Sequence, residues 1–178
     1  MGRDKANIRL GGKLLWQNQL ELLRELNPTE IFISARVDPS WRPDDVPFIA
    51  DAPPSRGPLS GLAASLDQMN TSRLLALAID MPWMSKAYLE FLCAQVEPGC
   101  GVVPKIADRA QPLAAIYPQE AASELRHALT GPDFSLQSLV RNLVAAGRLR
   151  VLDVGDDERK LFLNVNEPTD LAGLSRER

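Results

Sequence analysis

The sequence predicts one α/β domain with a mostly parallel sheet, and three observations lead there. Short β-rich runs alternate with amphipathic stretches along the whole chain, the signature of strand–helix–strand units. The run Leu74–Asp80 (LLALAID) is apolar on both faces until its final acid, as a buried parallel strand requires. At 178 residues, 45% hydrophobic and 24% charged, the chain has the size and composition of a soluble domain with a sizeable core.

Each element has its own warrant. Residues 13–26 place Leu15, Leu20, Leu22 and Leu23 near a helical repeat, and Asn27-Pro28 ends the run. EIFISA at 30–35 is a short strand. Residues 37–56, rich in proline and aspartate, read as loop around one short strand at 47–50. Residues 57–69 form a helix with Pro58 in its first turn, where the absent N–H costs nothing. After the strand at 74–80 come an amphipathic helix at 85–96, strands at 101–106 and 112–117, and helices at about 119–129 and 135–146. RLRVLDV at 148–154 and LFLNV at 161–165 are expected as late strands, and PTDLAGL as a closing helix. The first few residues and Ser175–Arg178 are expected to be poorly ordered.

Composition excludes several functions. A net charge of −3 lacks the basic excess of a nucleic-acid binder. Cys93 and Cys100 fit no common zinc spacing and read as reduced thiols of a cytoplasmic protein. No signal peptide and no apolar run of about 18 residues is present, so no membrane partner is expected. His127 is the only histidine, which rules out a histidine triad and a multi-histidine metal site. Any metal must take oxygen ligands, which suits magnesium.

Ligands of α/β sheets bind outside the carboxyl ends of strands, and that rule selects Ser34, Asp51, Asp80 and the loop Asn164–Asn166. Asp80 is either a magnesium ligand or the cap of the helix starting near Ser85. Gly57 lets backbone approach a ligand at a helix start, or simply begins a good helix. Asn164 and Asn166 would share one face of a continued strand and could read a heterocycle's edges, or they form an asparagine-rich turn. Arg3 and Lys5, beside Gly2, either contact phosphate or decorate a frayed terminus. Trp16, Trp41 and Trp83 are too scattered in sequence to define an aromatic platform, and His127 reads as a surface residue.

In order, MGRDKA (1–6), GGKLLW (11–16), Asp51 followed by GPLSG (57–61), AIDMPW (78–83), QPLAAIY (111–117) and FLNVNEPTDL (162–171) resemble the molybdenum cofactor guanylyltransferases, members of the wider sugar-nucleotide-transferase-like superfamily. The resemblance covers essentially the whole chain. It implies a Rossmann-like three-layer nucleotidyltransferase fold that joins GMP, taken from GTP, to molybdopterin with magnesium. Carried over by position, Lys5 holds GTP phosphates with help from Arg3. Asp80 binds magnesium, Ser34 and Asp51 lie along GTP, Gly57 shapes the guanine side, and Asn164 and Asn166 face the pterin. Proteins that deliver molybdopterin or mature molybdoenzymes are implied partners. A cytidylyltransferase of the same pathway, another small-molecule nucleotidyltransferase and a non-catalytic truncated homologue are the alternatives. Relatives carry an apolar strand and a Leu-Ala-Gly-Gly turn ahead of the segment matching MGRDKA. The single domain 1–178 is therefore expected to lack its first strand, which would lie between 30–35 and 74–80. Met1 is expected to be an internal methionine of a product about 15–20 residues longer.

Overall fold

The computed structural model describes residues 5–51, 53–165 and 170. A 3-10 turn at Lys5–Asn7 leads into a hairpin of β1 (Arg9–Leu10) and β2 (Lys13–Leu14) that the sequence pattern does not signal. Gly11 and Gly12 turn it with φ of 60° and 86°, a region glycine enters without penalty. Helix α1 (Leu15–Arg24) starts later than expected because Lys13 and Leu14 belong to the hairpin. Strands β3 (Ile33–Ala35) and β4 (Phe48–Ala50) pair in parallel, Ile33 opposite Phe48. Then follow α2 (Pro58–Gln68), β5 (Arg73–Leu77), α3 (Lys86–Ala94), β6 (Gly101–Ile106), β7 (Arg109–Ala110), β8 (Ala114–Pro118), α4 (Ala122–Thr130), α5 (Leu136–Ala145) and β9 (Leu149–Asp153).

Strand β8 lies between β5 and β6 and is antiparallel to both, while β9 runs parallel to β6. Strands β5, β6 and β9 therefore share one direction, as expected of a mostly parallel sheet. The pairings themselves are mixed, because the few residues between Ile106 and Ala114 cannot hold a crossover helix and must reverse the chain. The closest approach is at Gly101, where an added Cβ would fall 1.9 Å from the Ile116 carbonyl oxygen.

Side chains alternate across this sheet and bury both faces. Val103, Ala115 and Tyr117 pack under Leu59, Leu62 and Leu66 of α2, Leu125 of α4 and Leu139 and Leu143 of α5. Val102, Ala114 and Ile116 pack on the other face against Tyr88, Leu89 and Leu92 of α3, with Leu22 and Leu23 of α1 at the margin. The result is three layers, helices on both sides of one sheet.

LFLNV is not a strand. Residues Asp156–Phe162 wind into a 3-10 helix whose acidic first turn includes Glu158, which accepts the Gly155 N–H at 3.2 Å. Phe162 then drops into the core, edge-on to Tyr88 at 5.3 Å. Aromatic burial there outweighs the β propensity of the run. The closing helix expected at 168–174 lies outside the described residues except for Asp170.

Among the described residues, β3 pairs only with β4, and β5 only with β8. Between their other edges runs an apolar slot. One end, about 400 Å³, is lined by Ile31 and Phe32 with Leu74 and Leu75. The other, about 820 Å³, is lined by Ser34 and Ala35 with Leu77 and Asp80. Along these two segments the smaller end is lined only by residues up to Phe32 and Leu75, whereas the larger end runs on past Ala35 and Leu77, so β3 and β5 run in the same direction. No helix among the described residues is long and apolar enough to cross a membrane.

Candidate active site at the carboxyl ends of the strands

The larger end of the slot is where the sequence places its ligand residues. Ser34 on β3, Asp51 just after β4, Gly57 at the start of α2 and Asp80 after β5 all line this one cavity. The strands bring them there because parallel strands deliver their carboxyl ends to the same side.

Asp80 is held from several directions. Its carboxylate Oδ2 accepts from Lys5 Nζ at 3.0 Å, and its side chain is 18% exposed against 41% for Lys5. Its main-chain oxygen accepts the Val165 N–H at 2.8 Å. Gln19, buried in α1, donates through Nε2 to the Met81 carbonyl at 2.6 Å and to that of Ala78 at 3.3 Å, bracketing the acid. The alternative role, capping the next helix, is taken by Ser85, whose Oγ accepts the Tyr88 N–H at 3.2 Å. The Asp80 carboxylate is thus not the cap of that helix, and it faces Lys5 at the cavity wall.

On the opposite wall, Ser55 Oγ donates to Asp51 Oδ2 at 2.6 Å. The Arg56 N–H donates to Ser60 Oγ at 2.8 Å, which ties off the start of α2. Gly57 has φ 66° and open space where a side chain would stand, so backbone is presented to the cavity. Gly61, one turn into α2, is the contact point of that helix with the site. A Cβ there would lie 2.8 Å from Ser34 Oγ and 3.3 Å from Asp51 Oδ1. A glycine inside a helical run is a sequence signal for such close approach. Gln19 carried no comparable signal, because an isolated glutamine on an amphipathic helix is usually solvated.

The structure overturns one sequence reading. Trp16 and Trp41 stack, with ring centroids 5.5 Å apart and planes inclined by 17°, and both line the same cavity. The loop from Arg36 to Val46 folds back over α1, which brings together two rings distant in sequence. Asn164 is exposed beside Val165 and lies outside the cavity wall. Arg3 and Asn166 lie outside the described residues.

Among the described residues no three His, Cys, Asp or Glu side chains gather to hold a metal. Asp80 supplies one carboxylate, and magnesium commonly takes one or two protein carboxylates, with water and substrate phosphate completing its shell. One carboxylate with a lysine beside it fits a metal that arrives with a phosphate-bearing ligand. His127 is exposed on α4 and does not line the cavity.

Comparison with known proteins identifies the family and the fold. The profile of the MobA-like NTP transferase domain matches residues 1–148. A probable molybdenum cofactor guanylyltransferase of Opitutus terrae is 34% identical over 173 residues, 96% of this chain and 86% of that protein. The crystal structure of molybdopterin-guanine dinucleotide biosynthesis protein A from Archaeoglobus fulgidus superposes with a TM-score of 0.77 at 27% identity, covering 97% of this chain and 89% of that one. A Mycobacterium tuberculosis protein, Rv0371C, solved in complex with manganese, shares the fold at 18% identity and a TM-score of 0.61, over 90% and 92% of the two chains.

Proposed function

Because the chain belongs to the MobA-like NTP transferase domain family, we propose that it transfers GMP from GTP to molybdopterin, releasing pyrophosphate and forming molybdopterin guanine dinucleotide. The observation that carries this reading is the meeting of Lys5 and Asp80 at the carboxyl end of β5, in a cavity shared with Ser34, Asp51 and Gly57. A cation and a carboxylate at one point match a substrate that brings both phosphate and metal.

The terminal phosphate of molybdopterin, ionised at neutral pH, is the nucleophile. Its oxygen forms a bond to the α-phosphorus of GTP, and the bond from that phosphorus to the bridging oxygen of the leaving pyrophosphate breaks. No side chain need remove a proton, so the chemistry asks only for alignment and charge neutralisation. Lys5 would donate to GTP phosphates, with Arg3 beside it. Asp80 would hold magnesium, which supplies Lewis-acid neutralisation of the phosphates when bound. Ser34 and Asp51 would orient the nucleotide, and Gly57 would admit the guanine side to backbone contact. Asn164 and Asn166 would meet the pterin. Proteins that hand over molybdopterin and receive the product are the partners this reaction needs.

Thermal-shift titrations of the 178-residue chain with GTP, CTP and ATP, each with magnesium, test the reading. The expected result is stabilisation by GTP and little by the other two. Preference for CTP would make the chain a cytidylyltransferase, and indifference to all three would leave it a non-catalytic relative.

A further inference from the structure

The loop that carries Trp41 is built more firmly than a connection requires. It has no secondary structure from Arg36 to Pro47, yet Arg42 fixes it by four hydrogen bonds. Arg42 Nε and Nη2 donate to the two carboxylate oxygens of Asp38 at 2.7 and 2.9 Å. Its Nη1 donates to the carbonyls of Val46 at 2.7 Å and Pro43 at 3.3 Å. A bidentate guanidinium–carboxylate pair sets geometry as well as energy. What this clamp holds in place is the indole of Trp41, stacked on Trp16 at the wall of the cavity. Beside it, Val37 is 72% exposed and lines the same space.

The cost of this arrangement is visible. Trp16 Nε1 is buried without a hydrogen-bond partner among the described residues, and such a donor is unfavourable by about 1–3 kcal/mol. The Trp16 ring thus acts through its faces, as a support for Trp41.

We infer that Trp41, clamped by Arg42 and backed by Trp16, is a specificity-determining residue that stacks on the guanine ring of the nucleotide. The inference rests on the proposed nucleotidyl transfer and deepens it. Guanine is favoured over the pterin by position. The loop leaves β3 directly after Ser34 and Ala35, and it shares its cavity with Ser34, Asp51 and Gly57. Asn164, the residue proposed for the pterin, lies outside that wall. A bicyclic indole also covers a purine more fully than a pyrimidine.

The test compares GTP with inorganic tripolyphosphate, a ligand with phosphates and no base, each with magnesium. Wild-type tryptophan fluorescence should be quenched saturably by GTP and unchanged by tripolyphosphate. Trp41→Ala should weaken GTP binding by about tenfold or more, the usual scale of base stacking, and leave tripolyphosphate affinity unchanged. Trp41→Phe should restore most of the GTP affinity, which a merely structural defect would not allow, and it remains informative if the alanine variant does not fold. Equal GTP affinity in wild type, Trp41→Ala and Trp41→Phe overturns the stacking inference alone. Parallel loss of tripolyphosphate binding also overturns it, by making Trp41 a support for the phosphate end. Failure of the wild-type chain to bind GTP overturns the functional reading together with it.

Discussion

Lys5 Nζ and Asp80 Oδ2 lie 3.0 Å apart although 75 residues separate them in sequence. The pair is too exposed on the lysine side to matter much for stability, where such bridges give about 0–1 kcal/mol. On the proposed function, Lys5 stands beside Asp80 where a metal cation would stand, and Asp80 stands beside Lys5 where a phosphate would stand. Lys5→Met should therefore raise the affinity of the protein alone for manganous ion several-fold, by removing a competing cation. The same change should weaken GTP binding by about tenfold or more, the worth of one charged hydrogen bond. Asp80→Asn should abolish the metal binding. Electron paramagnetic resonance of free manganous ion, without nucleotide, reads the two metal affinities, and a thermal-shift titration with GTP and magnesium reads the third. Unaltered metal affinity in Lys5→Met would show that the pair does not compete with metal.

Gly61→Ala separates function from stability. Alanine favours a helix interior by about 1 kcal/mol over glycine, and the nearest obstruction, Ser34 Oγ at 2.8 Å, can rotate away. Its melting temperature should stay level or rise. GTP affinity should fall by about tenfold to a hundredfold, because Ser34 and Asp51 are displaced from their places. A variant that binds GTP normally would remove those two side chains from the nucleotide site.

The slot beside β5 should be visible in amide exchange. The Ala78 N–H donates to the Leu113 carbonyl, so backbone groups of even-numbered residues on β5 face β8. Those of Leu75 and Leu77 face the slot. Their amides should exchange about tenfold faster, or more, than those of Leu74 and Ala76. Uniform protection along β5 would mean that the second edge is covered in solution.

Alkaline pH should unfold the protein through its two tyrosines. Burial, with a contribution from the charge of Glu158, pushes the Tyr88 hydroxyl from 10.0 up to about 12. Full burial raises Tyr117 further, and its Oη donates to the Pro112 carbonyl at 2.7 Å. The folded chain keeps protons that the unfolded chain releases, so the tyrosine contribution to stability is fully present below pH 10 and is lost as pH rises from 10 towards about 12. Urea unfolding of wild type and Tyr88→Phe across that window checks this, and the variant should decline less steeply. Identical slopes would show that Tyr88 is solvated in the fold.

The division between sequence and structure follows the range of the forces involved. Hydrophobic period and turn chemistry act over a few residues, so they disclosed the helices from α2 to α5, the apolar β5 and the acids that end the strands. The rule that parallel strands present ligands at their carboxyl ends was enough to single out Ser34, Asp51 and Asp80, and the structure brings these into one cavity. What the sequence left undecided depends on contacts between distant segments. That Ser85 and not Asp80 caps the next helix, and that the Asp80 carboxylate meets Lys5, came only from the tertiary structure. LFLNV has strand composition, but Phe162 gains more by packing edge-on to Tyr88 than by pairing in a sheet. Trp16 and Trp41 meet only because Arg42 fastens a long loop over the first helix, and local periodicity carries no trace of that fold-back. Local pattern thus determined the elements and the acids at their ends, whereas the partners of each side chain were fixed by tertiary packing, since only it brings groups far apart in sequence within hydrogen-bonding distance.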